Sequence, residues 1–149
     1  MPTPVIRRAR RADVPAIVAL LADDPLGAGR ERPGDPAYLA AFDELAADPR
    51  QVLVVAESAG EVVGSLQLTF IPGLSRLGAT RAQIEAVRVR SDMRGSGLGD
   101  ALVRWAIDTA RDHGCALVQL TTDVSRTDAH RFYRRLGFQP THVGMKLAL

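Results

Sequence analysis

Residues 94–99 read Arg-Gly-Ser-Gly-Leu-Gly, three glycines in five positions at the threshold of a long amphipathic stretch. Glycines at a strand-to-helix junction let backbone N–H groups come close to a ligand, and the positive end of the helix dipole favours a negative one. Phosphate is the natural guest; the alternative is a bare tight turn. Two well-known phosphate loops are excluded by residue. A nucleotide P-loop needs Gly-Lys-Ser/Thr, whereas Gly99 is followed by Asp100 and the sole lysine is Lys146. A dinucleotide fingerprint starting at Gly95 needs Gly or Ala where Asp100 stands. Other chemistries have less support. Cys115 is the one cysteine and reads as a buried inert thiol, and His113, His130 and His142 have no metal-ligand spacing.

The elements that must position this loop follow from periodicity. Val5–Ala9 reads as a first strand, and Asp13 caps a helix carrying Val14, Ile17, Val18 and Leu21 at helical spacing. Residues 24–35 are rich in Pro and Gly and read as a loop. A second helix starts at Pro36, shows Leu39, Phe42 and Leu45 on one face, and stops at Pro49. Residues 51–56 and 62–70 form a hairpin about Ser58-Ala59-Gly60-Glu61. A strand over 84–89 leads into the glycine loop and the longest helix, from Leu98 to about His113. Leu98, Ala101, Leu102, Trp105, Ala106 and Thr109 are its apolar stripe, and Gly114 its stop. A strand over 116–120, a helix over 128–136 closed by Gly137, and a last antiparallel pair (138–140 with 144–147) complete one domain spanning 1–149.

A second motif follows the next strand: Ala129-His130-Arg131-Phe132-Tyr133-Arg134-Arg135-Leu136-Gly137-Phe138. The two segments together resemble the GNAT superfamily of N-acetyltransferases. Arg94, Gly97 and Gly99 match its acetyl-CoA loop pattern, Arg/Gln-x-x-Gly-x-Gly/Ala. Ala129, Phe132, Tyr133, Gly137 and Phe138 match its later Ala-x-x-Phe-Tyr-x-x-x-Gly-Phe motif. The likeness is close over residues 84–138, and the order of elements extends it to nearly the whole chain.

The resemblance implies an α/β fold with a mixed sheet of six to seven strands, flanked by about four helices. Its two central parallel strands splay apart for the pantetheine arm of acetyl-CoA, the expected co-substrate. Val87, Arg88 and Val89 would pair their backbone with pantetheine amides. The N–H groups of Gly95, Ser96, Gly97, Leu98, Gly99 and Asp100 would hold the pyrophosphate, with Arg94 shaping the loop and the Asp100 side chain facing away from phosphate. One departure is visible. Many relatives carry a cofactor-touching Asn near Ser125 or Arg126, and this chain has no Asn anywhere.

By the same likeness, acetyl transfer to an amine assigns two catalytic roles. Glu85, the only acid in the strand over 84–89, would draw the proton from the ammonium group; the alternative is a solvated glutamate or one paired with Arg88 or Arg90. Tyr133 would protonate the departing thiolate and contact the cofactor thiol, since a phenol near pKa ~10 stays protonated at neutral pH. Its alternative is a core aromatic. The acceptor groove would be lined by loops carrying Asp24, Arg30, Glu31, Arg32 and Asp35, charges otherwise expected to be solvated, and by Leu74, Ser75 and Arg76. The expected acceptor is a small-molecule, amino-acid or peptide amine. A non-catalytic acyl-CoA sensor is the alternative function. Similar proteins often form homodimers through the C-terminal strands.

Composition agrees with such a protein and narrows the rest. The chain of 149 residues has 46% hydrophobic and 24% charged residues and no apolar run near the ~20 needed to cross a bilayer. No secretory pattern is present at Met1-Pro2-Thr3-Pro4, and one cysteine suits a reducing cytoplasm, so a cytoplasmic protein is expected. The net charge is +2, made of −2 up to Thr80 and +4 from Arg81 onward, which suits an anionic ligand. Aromatics do not interleave with the arginines as a nucleic-acid surface would require. No nucleic acid, membrane or metal is expected.

Overall fold

The computed structural model describes residues 3–149; Met1 and Pro2, the start of the N-terminal segment read above, lie outside the described residues. The sheet is organised around one hairpin. Strands β2 (Gln51–Ser58) and β3 (Glu61–Ile71) are rich in β-branched and apolar residues. Ala59 (φ 52°) and Gly60 (φ 79°) turn the chain between them with two left-handed residues, the geometry whose twist matches the strands it joins. Strand β1 (Val5–Arg8) pairs antiparallel with β2, and β4 (Arg81–Val89) pairs antiparallel with β3. The short β5 (Leu117–Gln119) runs parallel to β4, so the order is β1-β2-β3-β4-β5.

The two faces are covered differently. On one, helix α4 (Leu98–Asp112) presses Leu98, Leu102, Val103, Ala106 and Ala110 onto Val54, Leu66, Leu68 and Ile84. Ala101, placed on the buried stripe from spacing alone, is exposed; the contact face is rotated toward Val103 and Ala110, which lie within the core. Helix α5 (Thr127–Arg135) leans on the same core through Phe132 and Tyr133. On the opposite face lie α1 (Val14–Ala22), which buries Val14, Ile17, Val18 and Leu20, and α2 (Ala37–Ala47), which buries no residue fully. A one-turn segment, α3 (Ser75–Gly78), holds Arg76 and Leu77 in the left-handed region before β4.

Two departures from regular pairing in β4 shape the site. Glu85 faces Gln67 and Arg88 faces Ser65, so Ala86 and Val87 together oppose Leu66 alone. This is a β-bulge, and Ala86 takes φ 53° within it. On its other flank, β4 pairs with β5 only from Arg81 to Gln83. The parallel strands part there while β4 continues to Val89, as the splayed-strand expectation required.

Among the described residues the sheet has five strands rather than six or seven, because residues 138–140 and 144–147 form no strand pair. Alternation tells which face a strand would bury but supplies no ladder partner. Val143, Met145, Leu147 and Leu149 are instead exposed.

Candidate active site

The parting of β4 from β5 leaves one flank of residues 84–89 without a neighbouring strand among the described residues. Unpaired strand backbone is a template for any extended group with amides of its own. At the far end of this flank the chain turns through Gly95 (φ 81°) and Gly97 (φ 87°), conformations an L side chain rarely takes. Helix α4 then begins with no side-chain cap, so its first-turn N–H groups point outward without a side-chain acceptor. Leu98 is buried and offers only backbone to a ligand. Ser96 differs from expectation: its N–H donates to the Met93 carbonyl at 3.2 Å and its hydroxyl to the same oxygen. Asp100 turns along the helix to Arg104 at 2.7 Å, away from the loop. Arg94 donates to the Asp23 carbonyl at 3.3 Å, which ties the loop to the end of α1.

A charged cluster closes the other side. Asp24 accepts the Gly27 N–H at 3.0 Å and is gripped by Arg126, while the Arg88 guanidinium stands 3.9 Å away. Burial by itself would raise the Asp24 carboxyl; the Gly27 N–H and the two arginines outweigh it and hold the group below the usual carboxylate range. Arg88 is largely buried; its Nη1 donates to the Val87 carbonyl at 2.9 Å and its Nε finds no partner among the described residues. Desolvation lowers its pKa, opposed by Asp24. Asp24 is thus not one of the solvated loop charges expected from sequence. It is buried and paired, and Arg126 is turned onto it.

Tyr133 packs edge-on against Phe132 (5.0 Å between ring centres) and Phe138 (5.7 Å). Burial raises its pKa, while the nearby positive charges of Arg88 and Arg126 work to lower it. Its phenol is therefore a protonated donor at neutral pH. Glu85 is exposed on the α1/α2 face and pairs with neither Arg88 nor Arg90. It accepts the Gln83 amide at 2.6 Å; Gln83 accepts from Gln119 at 2.9 Å, and Gln119 from Arg81 at 3.4 Å. This relay of amides across β4 and β5 fixes the carboxylate's orientation. Beside it, an apolar cleft of about 120 Å³ opens between the helices and the sheet, with Ile17 and Phe42 above and Ser65, Gln67 and Ala86 below.

The model of the acetyltransferase (GNAT) family matches residues 14–138. The chain belongs to the GNAT acetyltransferases. It is 32% identical to aminoalkylphosphonate N-acetyltransferase of Salmonella typhimurium over 152 aligned residues, covering 100% of this chain and 94% of that one. It is 33% identical to L-methionine sulfoximine/L-methionine sulfone acetyltransferase of Pseudomonas aeruginosa, covering 95% and 86%. A crystal structure described as a transcriptional regulator from Bacillus halodurans superposes with a TM-score of 0.95 at 47% identity, covering 98% of this chain and 99% of that one.

Within this GNAT chain, the structure brings Arg88 and Arg126 onto Asp24 and sets Tyr133 near both arginine charges, whereas Glu85 has its own partners in the relay of Gln83 and Gln119 amides. Sequence reasoning passed over three features. Asp24 lay among other loop charges with nothing to single it out. Ser65 is one hydroxyl in an apolar strand. The left-handed Ala86 has no signal at all, since alanine is ordinary in strands and helices alike.

Proposed function

We propose that this GNAT protein moves the acetyl group of acetyl-CoA onto the primary amine of a small molecule, by direct transfer while both substrates are bound. The observation that carries this reading is the unpaired flank of β4 beyond Gln83, ending at the uncapped start of α4. An extended pantetheine arm presents amides to such a flank, and a pyrophosphate suits the glycine turn at its end. Named relatives that act on aminoalkylphosphonate and on methionine sulfoximine, both small amines, support the acceptor class.

In this reading Val87, Arg88 and Val89 bind the arm through backbone. The N–H groups of Gly95, Gly97, Leu98, Gly99 and Asp100 receive the pyrophosphate. Glu85 takes a proton from the acceptor ammonium, directly or through water, and the freed amine attacks the thioester carbonyl. As the C–S bond breaks, Tyr133 gives its phenolic proton to the sulfur, and the second proton that the attacking nitrogen sheds in becoming an amide restores the phenol. The bulge at Ala86 breaks the regular β4 ladder beside the reacting carbonyl, where a backbone N–H can stabilise the oxyanion.

A thermal melt with acetyl-CoA, CoA, ATP and NAD in parallel tests the pocket. Ligand at 100 times its Kd adds about 2.7 kcal/mol, which is several degrees for a domain of this size. Shifts with acetyl-CoA and CoA but not NAD, together with free thiol released in the presence of amines, are the expected result. No shift with any of them overturns the reading. A second reading, a sensor that binds acyl-CoA without turnover, is favoured by the regulator described from Bacillus halodurans; it predicts the same shifts with no thiol release from any amine.

A further inference from the structure

We infer that the cleft beneath α2 is the acceptor's side-chain subsite, and that Ser65 selects a short neutral aliphatic arm carrying one hydrogen-bond acceptor. This rests on the acetyl-transfer reading and names the substrate class for that site. Two independent observations converge on it. The cleft holds about 120 Å³, somewhat less than the ~150 Å³ that admits benzene in an engineered apolar cavity. An arm of about four non-hydrogen atoms fits. Its existence follows from α2, which spans the α1 side of the sheet without burying any residue fully.

The second observation is Ser65 itself. It is 1% exposed, lines the cleft, and its Oγ has no hydrogen-bond partner among the described residues. A buried hydroxyl without a partner is costly, and native structures keep few of them. The other polar side chains in the cleft already have partners: Gln67 donates an amide N–H to Gln51 at 3.0 Å, and Tyr38 donates its hydroxyl to Glu31 at 3.0 Å. Ser65 is therefore the donor awaiting an acceptor atom. The cleft also meets Ala86, adjacent in sequence to Glu85, so an arm seated there leaves its amine at the strand that carries the proposed base. Because no charged side chain among the described residues lines the cleft, an arm ending in a second charge would enter without a counter-ion and is disfavoured.

The test uses the full chain with acetyl-CoA and four amines: methylamine, butylamine, its isostere 2-methoxyethylamine, and 1,4-diaminobutane. The wild type is expected to prefer the ether and butylamine over methylamine, and to discriminate against the diamine. Ser65→Ala should lower the ether-to-butylamine ratio of kcat/KM about fivefold, mainly through KM. Its Tm should equal or exceed that of wild type, since an orphaned hydroxyl is removed. Ala41→Leu, which fills the cleft from α2, should reduce the preference of both four-atom arms over methylamine about tenfold. Ratios equal to wild type in both folded variants overturn the subsite, as does equal use of all four amines by the wild type. Absence of thiol release with every amine, combined with no thermal shift by acetyl-CoA, is instead the failure of the acetyl-transfer reading and takes the subsite with it.

Discussion

The Nη2 of Arg126 donates to both carboxylate oxygens of Asp24, at 2.7 and 2.6 Å, across 102 positions of sequence. The pair joins the loop that follows α1 to the loop that precedes α5, and Arg88 from β4 faces the same carboxylate. Three segments that flank the strand opening are thereby tied to one acid. Arg126, one of the two residues near which the resemblance led us to expect a cofactor-touching Asn, is here a structural anchor for the loop that follows α1.

Asp24→Asn should therefore destabilise the fold by about 2 kcal/mol, because it leaves the largely buried Arg88 without its nearest counter-charge. Denaturant unfolding of the variant checks this. A change under 0.5 kcal/mol would show that the cluster is not holding the loops.

The same substitution should lose its effect in acid. The folded-state pKa of Asp24 lies below its unfolded value, so the unfolded chain binds more protons between the two. Its contribution is present above about pH 4 and fades as pH falls through the folded value. Asp13, held down by its hydrogen bonds from Arg7, should behave alike. Stability of wild type and Asp24→Asn measured from pH 7 down to pH 2 should converge at the acid end. A constant gap would contradict the sign.

Gly27 and Gly29 make a paired test of the loop that seats Asp24. A Cβ on Gly27 would lie 1.9 Å from the Leu21 carbonyl oxygen, whereas one on Gly29 meets nothing within 4 Å. Gly27→Ala should cost upwards of about 2 kcal/mol. Gly29→Ala should be neutral or stabilise by up to about 1 kcal/mol. Equal melting temperatures for the two variants would refute the packing.

Tyr133→Phe and Glu85→Gln should each lower kcat by about 10²- to 10⁴-fold while the acetyl-CoA thermal shift persists. The phenol is raised by burial, so its loss of a proton should limit kcat only above pH ~10. Activity that falls on the alkaline side well below that value would assign the acid role to another group.

Much of this architecture could be read from residues. The hairpin was marked by Gly60 (φ 79°), the helix stop by Gly114 (φ 74°), and the glycine turn by Gly95 and Gly97, each a position where backbone geometry favours glycine. Spacing alone was weaker where contact geometry decides. Ala101 and Val103 flank the same stripe of α4, and only the angle of the helix on β3 and β4 buries one and exposes the other. The C-terminal alternation promised a strand pair, yet pairing depends on a neighbour that periodicity does not encode. At the site, Asp24 was hidden for the same reason: its partners come from β4 and from beyond β5, and a long-range ion pair leaves no local signature.

The one-sided pairing of β4 also makes the strand its own reporter. In a strand, alternate amides point to opposite flanks, so on either side of the Ala86–Val87 bulge an N–H that faces the opening left by β5 sits next to one turned toward β3. Deuterium uptake along this segment should alternate, fast and slow, in the free protein. An arm lying along the opening would erase the alternation and leave the β3 side unchanged. Ligand occupancy can then be followed residue by residue, without any turnover, in a stretch of six amino acids.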